Sequence, residues 1–101
     1  MTIHRALALF LQGYLNVDWI DEYGDPWGAL DDFIASEPIA ETLASEIRAI
    51  LASGQPDDAL RTLVIDDLGS GYLPEADGWE YATWLEKVAE RADSAIRGRS
   101  Q

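Results

Sequence analysis

The stretch that decides the fold is DGWEYATWLEKVAERADSAIR, residues 77–97. Apolar side chains recur in it at intervals of three and four residues, the spacing of one face of an α-helix. Asp77 and Glu80 stand at its start and predict a capping box, in which each side chain binds the backbone N–H of the other residue. The stretch therefore predicts a long amphipathic helix with an inner face of Tyr81, Trp84, Leu85, Val88, Ala92 and Ile96.

The same periodicity predicts four earlier helices, at about residues 3–12, 25–36, 37–53 and 56–68. Asp25 before Pro26 is typical of a helix start, with Asp as the N-cap and Pro in the first helical position. Ser36 is the expected N-cap of the next helix. Gly13 and Gly69 are expected to end the first and the fourth helix.

No stretch has the alternating pattern of a strand, so the fold class is predicted to be all-α. The 101 residues suit one domain. We expect a compact bundle of about five helices over residues 1–97 and a frayed C-terminal tail at 98–101. In the loop before the last helix, Tyr72 and Leu73 are expected to tuck under the chain.

The distribution of charge is one-sided. From Ala6 to Ile47 there is no Lys or Arg but there are nine carboxylates, and the whole chain has a net charge of −12. This charge argues against direct binding of nucleic acid or of anionic membranes, since both need basic side chains. A surface of one sign with aromatic residues among its charges favours a basic protein partner, and nucleases are the commonest of these.

Catalytic and metal-binding patterns are weak. The chain has no Cys, and its single His4 lies on the polar side of the first predicted helix. The acidic residues between 16 and 25 do not have the ligand spacing of a calcium-binding loop. Adjacent carboxylates such as Asp57 and Asp58 do not face each other on a helix, and the first helical turn favours negative charge for structural reasons. We therefore expect no enzyme activity, no metal and no cofactor.

Targeting signals are also weak. The opening MTIHRALALFL lacks the cleavage site of a secretory signal, and no apolar run approaches the ~18 residues of a membrane span. A cytoplasmic location is expected. The oligomeric state is expected to be a monomer or a weak homodimer.

Two ordered motifs resemble those of the immunity proteins of bacterial contact-dependent growth inhibition (CDI). Residues 10–19, FLQGYLNVDW, are similar to the family's opening motif F-x-x-x-Y-x-x-x-D-W. Residues 77–85, DGWEYATWL, are similar to its ending D-G-x-x-Y-x-x-W-L. The resemblance spans roughly residues 6–88, and its one small departure is Leu15, where the family has an aromatic residue.

The resemblance implies a cytosolic binding protein that neutralises the C-terminal toxin domain of a CdiA-type effector. Many such toxins are nucleases, and immunity proteins commonly block the active site or the substrate surface by stoichiometric occlusion. Immunity proteins discriminate among toxins through residues that vary. The shared motif positions are therefore expected to be structural: Tyr14, Asp18, Trp19, Asp77, Gly78 and Trp84.

The expected toxin contacts lie in the acidic stretch and its aromatic neighbours. They are Asp21, Glu22, Tyr23, Asp25, Asp31 and Asp32, with Trp19 as a further aromatic anchor. A second acidic patch, Asp66, Asp67 and Glu75, is the alternative surface.

Two other functions stay open at this level. One is a generic acidic adaptor without a toxin partner, whose binding would depend little on salt. The other is a carboxylate-based hydrolase or metal-binding domain, which Mg²⁺, Mn²⁺ or Ca²⁺ would stabilise against heat.

Overall fold

The computed structural model describes residues 5–15 and 24–99. This part of the chain contains five α-helices. They are α1 (Arg5–Leu9), α2 (Pro26–Ser36), α3 (Leu43–Ala52), α4 (Asp57–Arg61) and α5 (Tyr81–Arg99). π-Helical segments follow α1 (Phe10–Tyr14) and α4 (Thr62–Asp67), and 3-10 helices occupy Pro38–Thr42 and Pro74–Asp77. No strand is present in these residues, and the predicted all-α bundle of about five helices is confirmed.

The helices enclose one hydrophobic core. α5 packs against α2, α3 and α4, and α1 packs against α3. The Cα radius of gyration is 12.7 Å, which matches the ~13 Å of a compact domain of this length. The largest fully buried side chains come from every helix: Leu7, Phe10, Leu11, Leu15, Leu30, Phe33, Leu43, Ile47, Leu60, Tyr81, Trp84 and Leu85.

The start of α1 is held by a carboxylate from α3. The two Glu46 side-chain oxygens accept hydrogen bonds from the backbone N–H groups of Ala6 at 3.0 Å and Leu7 at 3.1 Å. Thr42 donates a further hydrogen bond of 2.9 Å to the same carboxylate. Because the first N–H groups of a helix have no partner within the helix, Glu46 satisfies donors that would otherwise need water. The contact also ties α1 to α3.

The predicted start of α2 is confirmed. Asp25 has extended backbone angles, and its Oδ1 accepts a hydrogen bond of 2.8 Å from the backbone N–H of Gly28. Pro26 occupies the first turn, where the missing N–H costs nothing. The inner face of α2 buries Ala29, Leu30, Phe33 and Ile34.

The predicted N-cap role of Ser36 is wrong. Ser36 is the last residue of α2, and its hydroxyl donates to Asp32 Oδ1 at 3.2 Å. Glu37 instead has the extended conformation, because a residue that precedes a proline is excluded from helical angles. The next helical segment therefore begins at Pro38, without a side-chain cap.

Each π-helical segment is closed by a backbone hydrogen bond from the residue that follows it. Leu15 N–H donates to Phe10 O at 3.0 Å and Leu68 N–H donates to Leu63 O at 2.8 Å, so both turns close over five residues. Gly71 N–H donates to Leu15 O at 2.6 Å and joins the two ends. Gly13 was expected to end the first helix, but it lies inside the wider π turn.

The predicted capping box at the start of α5 is wrong. The Asp77 carboxylate accepts a hydrogen bond of 2.6 Å from the Tyr72 hydroxyl. Asp57, on α4, caps α5 instead: its two oxygens accept from the backbone N–H groups of Tyr81 at 3.2 Å and Ala82 at 3.1 Å. One carboxylate thus serves the positive ends of two helices, since it also lies in the first turn of α4.

The loop between the π turn and α5 has one buried aromatic side chain. Tyr72 is buried and its ring centroid lies 5.6 Å from that of Trp84, as the prediction requires. Leu73 is 41 % exposed, so the prediction that it tucks under the loop is wrong. Leu73 has extended backbone angles, and consecutive side chains of an extended chain point to opposite sides.

Candidate functional site

The predicted acidic contact surface is only partly within the described residues. Asp21, Glu22, Tyr23, Asp18 and Trp19 lie outside them. Asp25, Asp31 and Asp32 are described, and all three are exposed at or on α2. Their side chains have different partners, so they differ in how much charge they offer to a second protein.

Asp31 is neutralised by a basic residue of α5. The Nε and Nη2 groups of Arg91 donate to the two Asp31 carboxylate oxygens at 3.1 Å and 3.0 Å. The hydrogen bonds to Asp31 raise the pKa of Arg91 above its ordinary value, so the guanidinium stays charged. Bidentate geometry of this kind fixes the orientation of both side chains.

Arg91 also stacks on an aromatic residue. Its guanidinium carbon lies 5.5 Å from the centroid of the Trp27 ring, a distance at which a cation is attracted to the ring face. Trp79 meets Trp27 edge to face, with ring centroids 6.2 Å apart. Both indoles are half-buried.

These side chains border an open cleft of about 410 Å³ between the start of α2, the loop before α5, and α5. We call it the tryptophan cleft, and its lining residues are Trp27, Trp79, Lys87, Glu90, Arg91 and Ser94. No pattern in the sequence predicts this cleft. Trp27 and Trp79 are 52 positions apart, and Asp31 and Arg91 are 60 positions apart.

The carboxylates of the alternative acidic patch also differ in their partners. Asp66 and Asp67 are exposed in the second π turn. Glu75 forms an ion pair with Arg61 at 3.0 Å and accepts a hydrogen bond of 3.2 Å from the Tyr81 hydroxyl. Burial, together with the neighbouring Glu75, raises the pKa of Tyr81. The charge of Glu75 is therefore largely engaged within the fold.

Four of the six motif residues are described, and each has contacts inside the fold. Tyr14 packs edge to face on Phe33 and donates a hydrogen bond of 3.1 Å to Glu37. Asp77 binds the Tyr72 hydroxyl. Gly78 has a φ of +84°, a conformation that residues with a Cβ rarely adopt.

Trp84 is fully buried in the core. Its Nε1–H has no hydrogen-bond partner among the described residues. Burial of an unpaired donor costs stability, so the packing of the indole against the core must outweigh that cost. The structural role expected of all six motif residues remains a prediction.

Neither a metal-binding cluster nor a membrane-spanning helix occurs in residues 5–15 and 24–99. No group of three His, Asp or Glu side chains in this part could hold a metal ion. No helix in it is long and apolar enough to cross a membrane.

Comparison with known proteins gives a match to a family model and similarity to solved structures. The sequence model described as CdiI immunity protein matches residues 4–92. The fold is similar to a chain in the crystal structure of the CdiA-CT/CdiI complex from Y. kristensenii 33638, with a TM-score of 0.82 and 25 % identity. That match covers 90 % of this chain and 99 % of the other. No curated protein matches significantly.

Trp and Arg are enriched at protein interfaces, so a cleft of two Trp and one Arg on this helical fold is consistent with a protein-binding domain. The chain belongs to the CdiI immunity protein family, since the family model matches most of its length. It is therefore an immunity protein of contact-dependent growth inhibition, and it acts by neutralising a toxin. The family resemblance seen in the sequence is confirmed.

Proposed function

We propose that this protein binds the C-terminal toxin domain of its cognate CdiA-type effector in the cytoplasm and neutralises it by one-to-one occlusion. The observation that carries the proposal is the match of the CdiI family model to residues 4–92. The structural similarity to a chain of a CdiA-CT/CdiI complex supports a toxin domain as the partner. In this mechanism the immunity protein performs no chemistry.

The charge of the chain supports a basic toxin of the nuclease type. Proteins that bind nucleic acid carry Lys and Arg on their substrate surface. A protein with a net charge of −12 would be attracted to such a surface and would cover it. Long-range attraction of this kind raises the association rate more than the final affinity.

The proposed contact surface includes Asp21, Glu22, Tyr23, Asp25 and Asp32. Asp32 is exposed and carries a hydrogen bond from Ser36, and Asp25 is exposed at the start of α2. Asp31 belongs to the same surface, although Arg91 offsets its charge. Asp66 and Asp67 form the alternative surface.

Titration calorimetry with the toxin domain encoded immediately upstream tests the proposal. Tight one-to-one binding that weakens as the salt concentration rises is the expected result, because salt screens charges more than about 10 Å apart at 0.1 M. Expression of the immunity protein should also rescue the growth of cells that produce the toxin. The absence of both binding and rescue would contradict the proposal. Tight binding that does not change with salt would contradict electrostatic steering.

A further inference from the structure

We propose that the tryptophan cleft is the anchor site of the toxin interface. Its occupant would be a projecting toxin side chain with a flat apolar body and an end that accepts a hydrogen bond. The inference rests on the proposed toxin binding and adds the site that sets the lifetime of the complex.

The residue types of the cleft support this role. Trp, Tyr and Arg dominate the energetic hot spots of protein interfaces, and here two Trp and one Arg meet at one surface opening. The indoles of Trp27 and Trp79 are half-buried, so they retain contact area for a partner while the fold holds them. Trp and Arg far from one another would not provide such an anchor.

The cleft is pre-organised. Arg91 is fixed by two hydrogen bonds to Asp31 and by stacking on Trp27, and Trp27 is fixed by its edge-to-face contact with Trp79. Side chains that are already ordered lose less conformational entropy when a partner binds. This favours the cleft as a binding site over the exposed carboxylates beside it.

The charges around the cleft indicate which kind of toxin side chain it binds. Lys87 forms an ion pair with Glu90 at 3.4 Å, and Arg91 forms an ion pair with Asp31 at 3.0 Å. These two pairs offset each other, and Asp25 adds a negative charge that acts on Arg91, so the described lining has no surplus of positive charge for an anionic occupant. The Arg91 hydrogen bonds within the described residues go to Asp31, and a guanidinium has further N–H donors for an acceptor group on the occupant.

The cleft is also next to the proposed acidic contact surface. Trp27 follows Asp25 by two residues on α2, and Asp31 lies one helical turn further on. A basic toxin steered toward α2 would therefore meet the cleft without moving to another face. The acidic residues would govern the association rate, and the cleft would govern the dissociation rate.

Filling the cleft tests the proposal without removing any core contact. Ser94 is exposed on α5 and lines the cleft, so Ser94→Trp would occupy the space of the toxin side chain. Ser45→Trp on α3 is the matched control, because Ser45 is exposed and does not line the cleft. Ser94→Phe is a smaller variant for the case in which Ser94→Trp does not fold, and thermal melting checks the folding of each.

Dissociation of the toxin complex is the readout. We expect Ser94→Trp to dissociate at least about tenfold faster than wild type, with an unchanged dependence of the association rate on salt, and Ser45→Trp to resemble wild type. If wild type binds the toxin and folded Ser94→Trp dissociates equally slowly, the cleft is not the anchor although the proposed function stands.

Two other results would also overturn the anchor site. If Ser45→Trp weakens toxin binding as much as Ser94→Trp does, the effect is not specific to the cleft. If light scattering shows that the wild type is a homodimer and that Ser94→Trp is a monomer, the cleft binds a second copy of this chain. A wild type that does not bind the toxin at all would instead contradict the proposed function.

Discussion

Glu46 and Asp57 differ from Asp66 and Asp67 in what their carboxylates bind, although all four carry the same kind of charge. Glu46 and Asp57 each accept hydrogen bonds from two consecutive backbone N–H groups of another helix. Asp66 and Asp67 are exposed in a π turn. A net charge of −12 is therefore not one surface property: some carboxylates hold helices together, others pair with basic side chains, and only the remainder can face a partner.

The largest effect is expected for Glu46. Glu46→Ala removes the partner of two backbone N–H groups at the start of α1 and of the Thr42 hydroxyl, and should lower the free energy of unfolding by about 2 kcal/mol. Thermal and urea denaturation measure this change. Glu41→Ala is the control, since Glu41 is an exposed residue nearby, and should change stability by less than about 0.5 kcal/mol. Equal effects of the two variants would contradict the division of carboxylates.

A smaller effect is expected for Asp57. Asp57→Ala removes the cap of α5 and should cost about 1 kcal/mol, whereas Asp57→Asn, which keeps an acceptor oxygen, should cost less. The neighbouring Asp58→Ala is the matched control. Asp58 lies in the same first turn, and its loss should cost only the weaker interaction with the helix dipole. A cost for Asp58→Ala as large as for Asp57→Ala would show that the dipole, rather than the cap, matters.

The next effect depends on pH. Burial, reinforced by the hydrogen bond to Asp77, raises the pKa of Tyr72 above its ordinary value. Above pH ~10 the unfolded chain loses the tyrosine proton while the folded chain keeps it. The stability that Tyr72 contributes should therefore be fully present below that pH and should be lost as the pH rises further.

Denaturation with urea at a series of pH values above neutrality measures this fall. Tyr72→Phe should show a shallower decline, although not a flat one, because burial also raises the pKa of Tyr81. A decline of unchanged slope in Tyr72→Phe would contradict the assignment.

The sequence predicted local features well. Asp25 and Pro26 placed the start of α2 because an N-cap acts on residues next to it in the chain. The inner face of α5 followed from its periodicity, and Tyr81, Trp84, Leu85 and Val88 are all buried. The family motifs were also sufficient to predict the immunity class that the family match confirms.

Two of the failures, the cap of α5 and the tryptophan cleft, involve contacts between residues distant in the chain, whereas the wrong N-cap at Ser36 is a local error. Asp57 caps α5 across 24 positions, and Arg91 binds Asp31 across 60, so no short spacing predicts either contact. The π turns that follow α1 and α4 change the helical period without a characteristic residue. As a result the tryptophan cleft, which needs Trp27, Trp79 and Arg91 together, could be found only in the folded chain.

We propose that exposed carboxylates at α2 bring a basic toxin to this surface. The most direct test of this proposal is the association rate with the toxin domain, measured by stopped flow over a range of salt concentrations. The variant Asp25→Asn with Asp32→Asn removes two charges, and Asn keeps the N-cap of α2.

We expect this variant to melt near the wild-type temperature, to associate several-fold more slowly at low salt, and to depend less on salt. Asp66→Asn with Asp67→Asn, which removes the same charge elsewhere, should have a smaller effect. An association rate that is equal to wild type at every salt concentration would contradict steering at α2. A larger effect of the Asp66 and Asp67 variant would place the toxin at the second π turn.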